Sequence, residues 1–470
     1  MNNTDFNNSI ALLRAAHKAW LGAADFRRQR QRNKKFTYGN QWDDIVFDED
    51  GNPVPEWKAL ADNGREPLSN NMIRQLVKCV VGRYRNIAKN HTSDNPWLES
   101  TLAQNHAAEI DSRAIEEFLI SGCCIQKVGV ARRLNEWVID ISNINPNRFF
   151  VNAFIDPRGN DINLIGQIHD LSPAELIMLL ADGNRDKAAW IRSLYNTENM
   201  SRANTVRQSL GSDFCSDTDF FFGSSDKCRI FEIWSLEMTE RIRTHDCTSG
   251  ELIEWDVAEF NALPNRKRNG FSPSNCDWEI CQVWRCRWIT PMGDIVAEYD
   301  SPFAHQSHPY ILKLYPLTDG EVHSFVEDVI DQQKHINRLI VTANHVMNSS
   351  AKGVLLYPSD ALPPGYSWDQ IKKMWRSPDG IIPFDSADKS PQQMLTNGTN
   401  QGVYQLLDLE MRLFNTVSGV SEALQGHNIG AGVGAELYNR QTDNATIALC
   451  DIFDSFRDFI DMRNHKLAML

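Results

Sequence analysis

The chain holds no apolar run of the ~18–20 residues a helix needs to cross a bilayer. Its longest candidates, such as residues 176–181, have the length of core segments. The start, Met1-Asn2-Asn3-Thr4-Asp5, lacks the basic-then-apolar layout of a secretory leader. A chain made and used in a cytoplasm-like compartment is expected. No Gly-Lys dipeptide occurs in the 470 residues, which excludes a Walker phosphate loop. No GxSxG, HExxH or protein-kinase signature is present either, and no motif fixes an acid–base pair. CxxC pairs are missing. Among the ten cysteines, Cys123 and Cys124 are adjacent, while Cys276, Cys281 and Cys286 stand five apart on a probable strand. That spacing alternates faces and cannot converge on one ion, and His305 with His308 does not repair it. Buried reduced thiols are expected, with no metal and no cofactor. His323, His335 and His345 share a helix at spacings of twelve and ten, which misses the i, i+4 pairing of two metal-binding imidazoles. Positive charge is also short: 48 Lys and Arg stand against 61 Asp and Glu, a net charge of -13. Such a surface repels phosphate and argues against a broad, tight DNA-binding face.

What is present suits a folded protein of two to four domains: 42% apolar and 23% charged residues over 470 positions. Residues 5–38 read as one helix, with Ile10, Leu12, Leu13, Ala16 and Trp20 as its stripe. It ends in the basic run Arg27 to Lys35, either a nucleic-acid contact or a solvated helix end. Further helices are expected at 70–88, with Ile73, Leu76, Val77, Val80 and Val81 inward, and at 98–122, closing near Gly122. Residues 124–132 and 136–141 read as a hairpin. Ser172-Pro173-Ala174-Glu175 carries the serine cap, early proline and glutamate of a helix start. The polar segment 197–227 reads as a mobile loop, and 227–236 and 277–288 as long strands.

The last third changes character. Residues 321–348 predict one helix of ~40 Å at 1.5 Å per residue. Phe325, Val329, Ile336, Ile340, Ala343 and Met347 share one face, and Glu327, Asp331, Lys334 and Arg338 the other. A proline-studded insert follows at 349–400, then a second helix at 402–419 with Leu406, Leu409, Leu413, Phe414 and Val417. The segment Gly426-His427-Asn428-Ile429-Gly430-Ala431-Gly432-Val433-Gly434 follows a helix rather than a strand, so a dinucleotide fingerprint does not fit. It reads as a connector free to move. A final helix is expected from about Ala435 to the end, with Asp451, Asp454, Asp458 and Asp461 on one face and Ile452, Phe453, Phe456, Phe459 and Ile460 on the other. The acidic stripe is either a solvated face or a wall that keeps a duplex from sticking.

Several segments, in order, resemble the portal (head-to-tail connector) family of tailed bacteriophages, especially portals of short-tailed phages including those akin to crAss-like phages. They are Tyr38-Gly39-Asn40-Gln41-Trp42, Asn70-Asn71-Met72-Ile73-Arg74-Gln75-Leu76-Val77, Val81-Gly82-Arg83-Tyr84-Arg85-Asn86, Pro146-Asn147-Arg148-Phe149-Phe150, His308-Pro309-Tyr310-Ile311, Asp331-Gln332-Gln333, Ile336-Asn337 and Val417-Ser418-Gly419-Val420-Ser421. The first is one residue shorter than the family's form. The resemblance implies an α+β chain: a helix-rich wing with mixed β elements (1–320), stem helices at 321–348 and 401–425, a small α/β clip (349–400), a tunnel loop at 426–434 and a long wing helix (435–470). Phe325, Val329, Ile336, Ile340, Met347, Leu406, Leu413 and Phe414 would pack the stem, and Gly426, His427, Asn428, Ile429, Gly430, Gly432 and Gly434 would face DNA. Many portals continue into a crown, so at Leu470 the crown is absent or the chain incomplete. The family's role would be non-enzymatic: a ring, usually of twelve, at the capsid vertex of the virion, assembled in the host cytoplasm. It passes double-stranded DNA without reading its sequence, contacts the major capsid protein, and docks the terminase motor and then tail adaptors, with no membrane partner. Twelve copies at -13 would carry -156 around a DNA path. A tail adaptor and, further off, a DNA-packaging enzyme are the rival readings.

Overall fold

The computed structural model describes residues 3–48, 50–89, 95–133, 136–195, 203–208, 219–222, 226–245, 252–262, 276–318, 320–352, 354–359, 362–376, 382–385, 391–394, 401–420 and 447–470. The fold is mixed α+β, and the chain divides into two compact units. One comprises 1–34, 77–327 and 439–470; the other comprises 35–76 and 328–438.

The first unit is built on a six-stranded antiparallel sheet. The strand Cys228–His245 lies at its centre, flanked by Leu164–Leu171 on one side and Cys276–Ile289 on the other. Phe149–Val151 and Ile295–Asp300 form the edges, and Leu252–Asp256 pairs with the outer end of the central strand. Both faces are covered over the inner half of the central strand, which reads Ile230, Phe231, Ile233, Trp234 with the buried Glu232 between them, while Met238 on its outer half and Trp278 and Ile280 on the neighbouring strand are exposed. The helix Asn3–Gly22 lays Leu13, Ala16 and Trp20 on Leu164, Ile168, Phe231 and Ile289. The opposite face meets the helices Pro173–Leu180 and Arg185–Leu194 and a second sheet. That sheet has three strands, Tyr310–Leu314, Cys123–Arg133 and Glu136–Asn143. Lys127 on its middle strand reaches the buried Glu232 of the large sheet (Nζ–Oε2 2.5 Å), beside His169 (Nε2–Oε2 2.8 Å) and the Trp234 indole (3.0 Å). Burial alone would raise the Glu232 pKa; Lys127 and His169 outweigh it and hold the carboxyl well below its usual range.

Several local expectations stand as read. The 124–141 hairpin forms, and Ser172 makes a full capping box with Glu175. Gly122 closes its helix at φ 71°, where an added Cβ would meet the Tyr315 carbonyl oxygen and Val322 at 2.7 Å. Others need correction. The first helix is two, Asn3–Gly22 and Ala24–Tyr38, and 98–122 is likewise two, Pro96–Gln104 and Ala107–Ser121, broken at His106 in the left-handed region. Within 197–227, read as a loop, residues 203–208 are helical. Phe220 and Phe221 are fully buried, Phe220 stacked on Phe231 at 4.5 Å. The polar composition concealed a two-phenylalanine anchor.

The second unit contains the hairpin Ile45–Phe47/Pro53–Pro55, the short helix Glu56–Asp62, the small sheet Val354–Leu356/Gln392–Met394, and the helices Trp368–Arg376 and Gln401–Ser418. Its longest element is the helix Glu327–Lys352. Sequence placed that start at 321. Ser324 moves it: its hydroxyl accepts from the Glu327 amide (3.1 Å), while the Glu327 carboxylate accepts from the Ser324 amide (3.4 Å).

Candidate functional site

The motif residues at 36–42, 70–74 and 333–337 converge on one buried carboxamide network. Gln333 uses all its hydrogen-bonding capacity. Its Oε1 accepts from the amides of Met72 (3.0 Å) and Ile73 (3.3 Å), and its Nε2 donates to Asn70 O (2.7 Å) and Asn337 Oδ1 (3.0 Å). Those two amides open the helix Met72–Ala88 and have no partner within it, so Gln333 serves as its cap from a distant point in the chain. Asn337 Nδ2 donates to Gln41 Oε1 (2.6 Å), and Gln41 Nε2 donates to Phe36 O (2.9 Å) and Asn71 Oδ1 (3.2 Å). Around this neutral centre Lys334 pairs with Asp44, and Arg338 with Glu56 (2.7 Å). The polar face opposite the apolar stripe is therefore partly consumed inside the chain. Composition and motif searches missed this network. One signal could have found it: Gln333 and Asn337 fall on the same helical stripe as Val329, Ile336 and Ile340, where a carboxamide needs a partner.

The residues expected to pack the stem separate into two groups. Val329, Ile336 and Phe414 are fully buried, and Ile340 is half-buried. Phe325 is half-buried but precedes the helix. Met347, Leu406 and Leu413 are exposed. On the helix Gln401–Ser418, Val403, Leu407 and Phe414 face inward, whereas Leu406, Leu409, Leu413 and Val417 are 44, 50, 42 and 47% exposed. Spaced by three, four and four, these last four form a second apolar stripe beside the packed one.

The helix Cys450–Ala468 shows the expected two-sidedness. Ile452, Phe453, Phe456 and Phe459 are buried and Asp451, Asp454, Asp458 and Asp461 exposed. Three of the four acids are engaged: Asp451 accepts from the Tyr315 hydroxyl, Arg457 lies 3.8 Å from Asp454, and Lys313 Nζ lies 3.4 Å from Asp458. Two residues missed in sequence complete its inner face. Arg463, 1% exposed, pairs with Asp111, which also accepts from Gln126 Nε2 (3.1 Å). Lys466 Nζ donates to the carbonyls of His308 (2.7 Å) and Tyr310 (2.9 Å). Both lie on the continuation of the phenylalanine stripe, which is the signal that would have marked them.

The basic run is structural at two of its six cations. Arg30 makes a bidentate pair with Glu117 (2.5 and 2.9 Å), and Arg27 lies 3.7 Å over the Trp20 ring. The solvated-end reading fails for these two, because both are buried, and holds for Arg28, Lys34 and Lys35, which are exposed. Of the cysteines, Cys123, Cys124, Cys228 and Cys286 are buried free thiols, and burial pushes the Cys123 and Cys124 thiols up, away from reactivity. Residues 426–434, with Gly426, His427, Asn428, Ile429, Gly430, Gly432 and Gly434, lie outside the described residues. Among the described residues no helix is long and apolar enough to cross a membrane.

The family model of phage P22-like portal proteins matches residues 95–466. No curated protein matches the chain.

Proposed function

The chain belongs to the phage P22-like portal protein family, and from that premise we propose that it is one subunit of a ring at the capsid vertex through which double-stranded DNA enters and leaves. The family match sets aside the tail-adaptor reading and gives the chain a structural role. The helices Glu327–Lys352 and Gln401–Ser418 are read as the stem, and the residues between them as the clip that meets the terminase and later the tail adaptors. Residues 426–434 are the loop that meets DNA, with His427 and Asn428 offering polar contacts and the glycines letting the backbone shift. Twelve subunits are the expected number, and the major capsid protein surrounds the ring.

The observation that carries this reading is the bare stripe Leu406, Leu409, Leu413 and Val417 on a helix whose other apolar side is already packed. Four contiguous apolar side chains left in water are an unfinished interface. A head-to-tail contact between copies covers it and closes into a ring when the rotation permits. A wall without strong basic character lets a highly charged duplex slide rather than clamp.

Replacing 426–434 by a shorter, stiffer segment tests the DNA-facing role. Rings should assemble normally while packaging or retention of DNA falls. Full packaging by such rings would refute it.

A further inference from the structure

The last turn of the helix Cys450–Ala468 carries the Lys466 ammonium to the start of the strand Tyr310–Leu314, where, among the described residues, the backbone carbonyls of His308 and Tyr310 receive it. Two half-buried imidazoles adjoin it. His308 sits edge-on to Trp284 at 4.8 Å and accepts the Tyr310 amide on Nδ1 (3.3 Å). His305 stacks on Phe303 at 5.0 Å and accepts the Ser307 amide on Nδ1 (3.1 Å). A nitrogen that accepts carries no proton, so both rings are neutral as they sit. The neighbouring charges are committed elsewhere: Arg463 to Asp111, Lys313 to Asp458, and Lys127 to Glu232. His465, on the same helix, is exposed. Among the described residues no carboxylate pairs with Lys466, His305 or His308.

We propose that Lys466, His308 and His305 form a proton-sensitive clasp that holds the helix Cys450–Ala468 on the strand Tyr310–Leu314 near neutral pH and releases it on acidification. One ammonium on two carbonyls is tolerable; a second and third positive charge in the same place, with no counter-ion, are not. The titration agrees. Burial, reinforced by Lys466, holds His308 well below the usual histidine range and brings His305 to about 4. Burial brings Lys466 to about 7. Because docking lowers all three, the released helix binds more protons and release grows as pH falls. His305 acts between about pH 6.5 and 4, and His308 from about pH 6.5 downward. Lys466 acts between about 10.5 and 7 and contributes a constant term below that. From pH 7 to pH 5 each imidazole of ordinary pKa multiplies the opening equilibrium by up to about 25-fold, less for a ring partly in water.

Hydrogen exchange of the assembled protein at pH 7 and pH 5, corrected for intrinsic rates, reads the opening of residues 460–468. The wild type should open at least about tenfold more at pH 5, and the helix Met72–Ala88 should not follow. His308→Phe combined with His305→Phe should remove most of the dependence, and the paired glutamine variants carry the same expectation if the phenylalanine pair does not fold. A change under about threefold in the wild type, or an unaltered dependence in the variant that folds, would overturn the clasp.

Discussion

Replacing Gln333 by leucine isolates the network that fixes the helix Glu327–Lys352. The side chain is fully buried and makes four hydrogen bonds, two of them to the first amides of the helix Met72–Ala88. Leucine has nearly the same volume, so little cavity forms. The Ile73 amide is stranded, whereas the Met72 amide and the Asn70 carbonyl keep each other at 2.9 Å and Asn337 Oδ1 keeps the Asn70 amide at 3.2 Å. Stranding the buried Ile73 amide costs about 2 kcal/mol, and the bonds lost by the Met72 amide and the Asn70 carbonyl, which keep another partner, add about 0.5 kcal/mol each, so the loss is about 3 kcal/mol. Leucine returns up to about 1 kcal/mol through its greater apolar burial. A net destabilisation of about 2 kcal/mol follows, read from the urea midpoint at unchanged slope. Hydrogen exchange should place the damage at Met72 and Ile73 and leave the middle of their helix protected. A change below about 0.5 kcal/mol, or unchanged exchange at those amides, would refute the view that Gln333 caps that helix.

Two further substitutions probe other parts of the account. Leu409→Asp with Leu413→Asp should leave the subunit folded, since both side chains are already exposed, but abolish ring assembly in sedimentation velocity; intact rings would show that the stripe is not the contact. Arg463→Met should cost about 3–5 kcal/mol by stranding Asp111, and adding Asp111→Leu should recover most of it. Equal stability of the single and double variants in denaturant would contradict the buried pair.

Much of the fold was legible because local chemistry set it. The Ser172 capping box, the Gly122 helix end, the 124–141 hairpin and the two-faced helix at 450–468 each depend on residues within a few positions of one another. What escaped depends on distant partners. Gln333 becomes a cap only when residues 70–73 arrive beside it, and Glu232 becomes a buried carboxylate only because Lys127 comes from another sheet. The basic run misled for the same reason: nothing within it announces that Arg30 finds Glu117. Residues on the wrong face for their polarity, such as Gln333, Arg463 and Lys466, were the available clues. The order of short motifs along the chain reached the family, and a match over 95–466 agrees with it.

The central claim is that copies of this chain surround an open passage. Rotationally averaged electron-microscope images of the purified protein test it directly. The account predicts a closed ring with a central channel wide enough for a DNA duplex, most simply with twelve-fold symmetry. A population of single subunits at concentrations where portals assemble, or a closed particle without a passage, would contradict it.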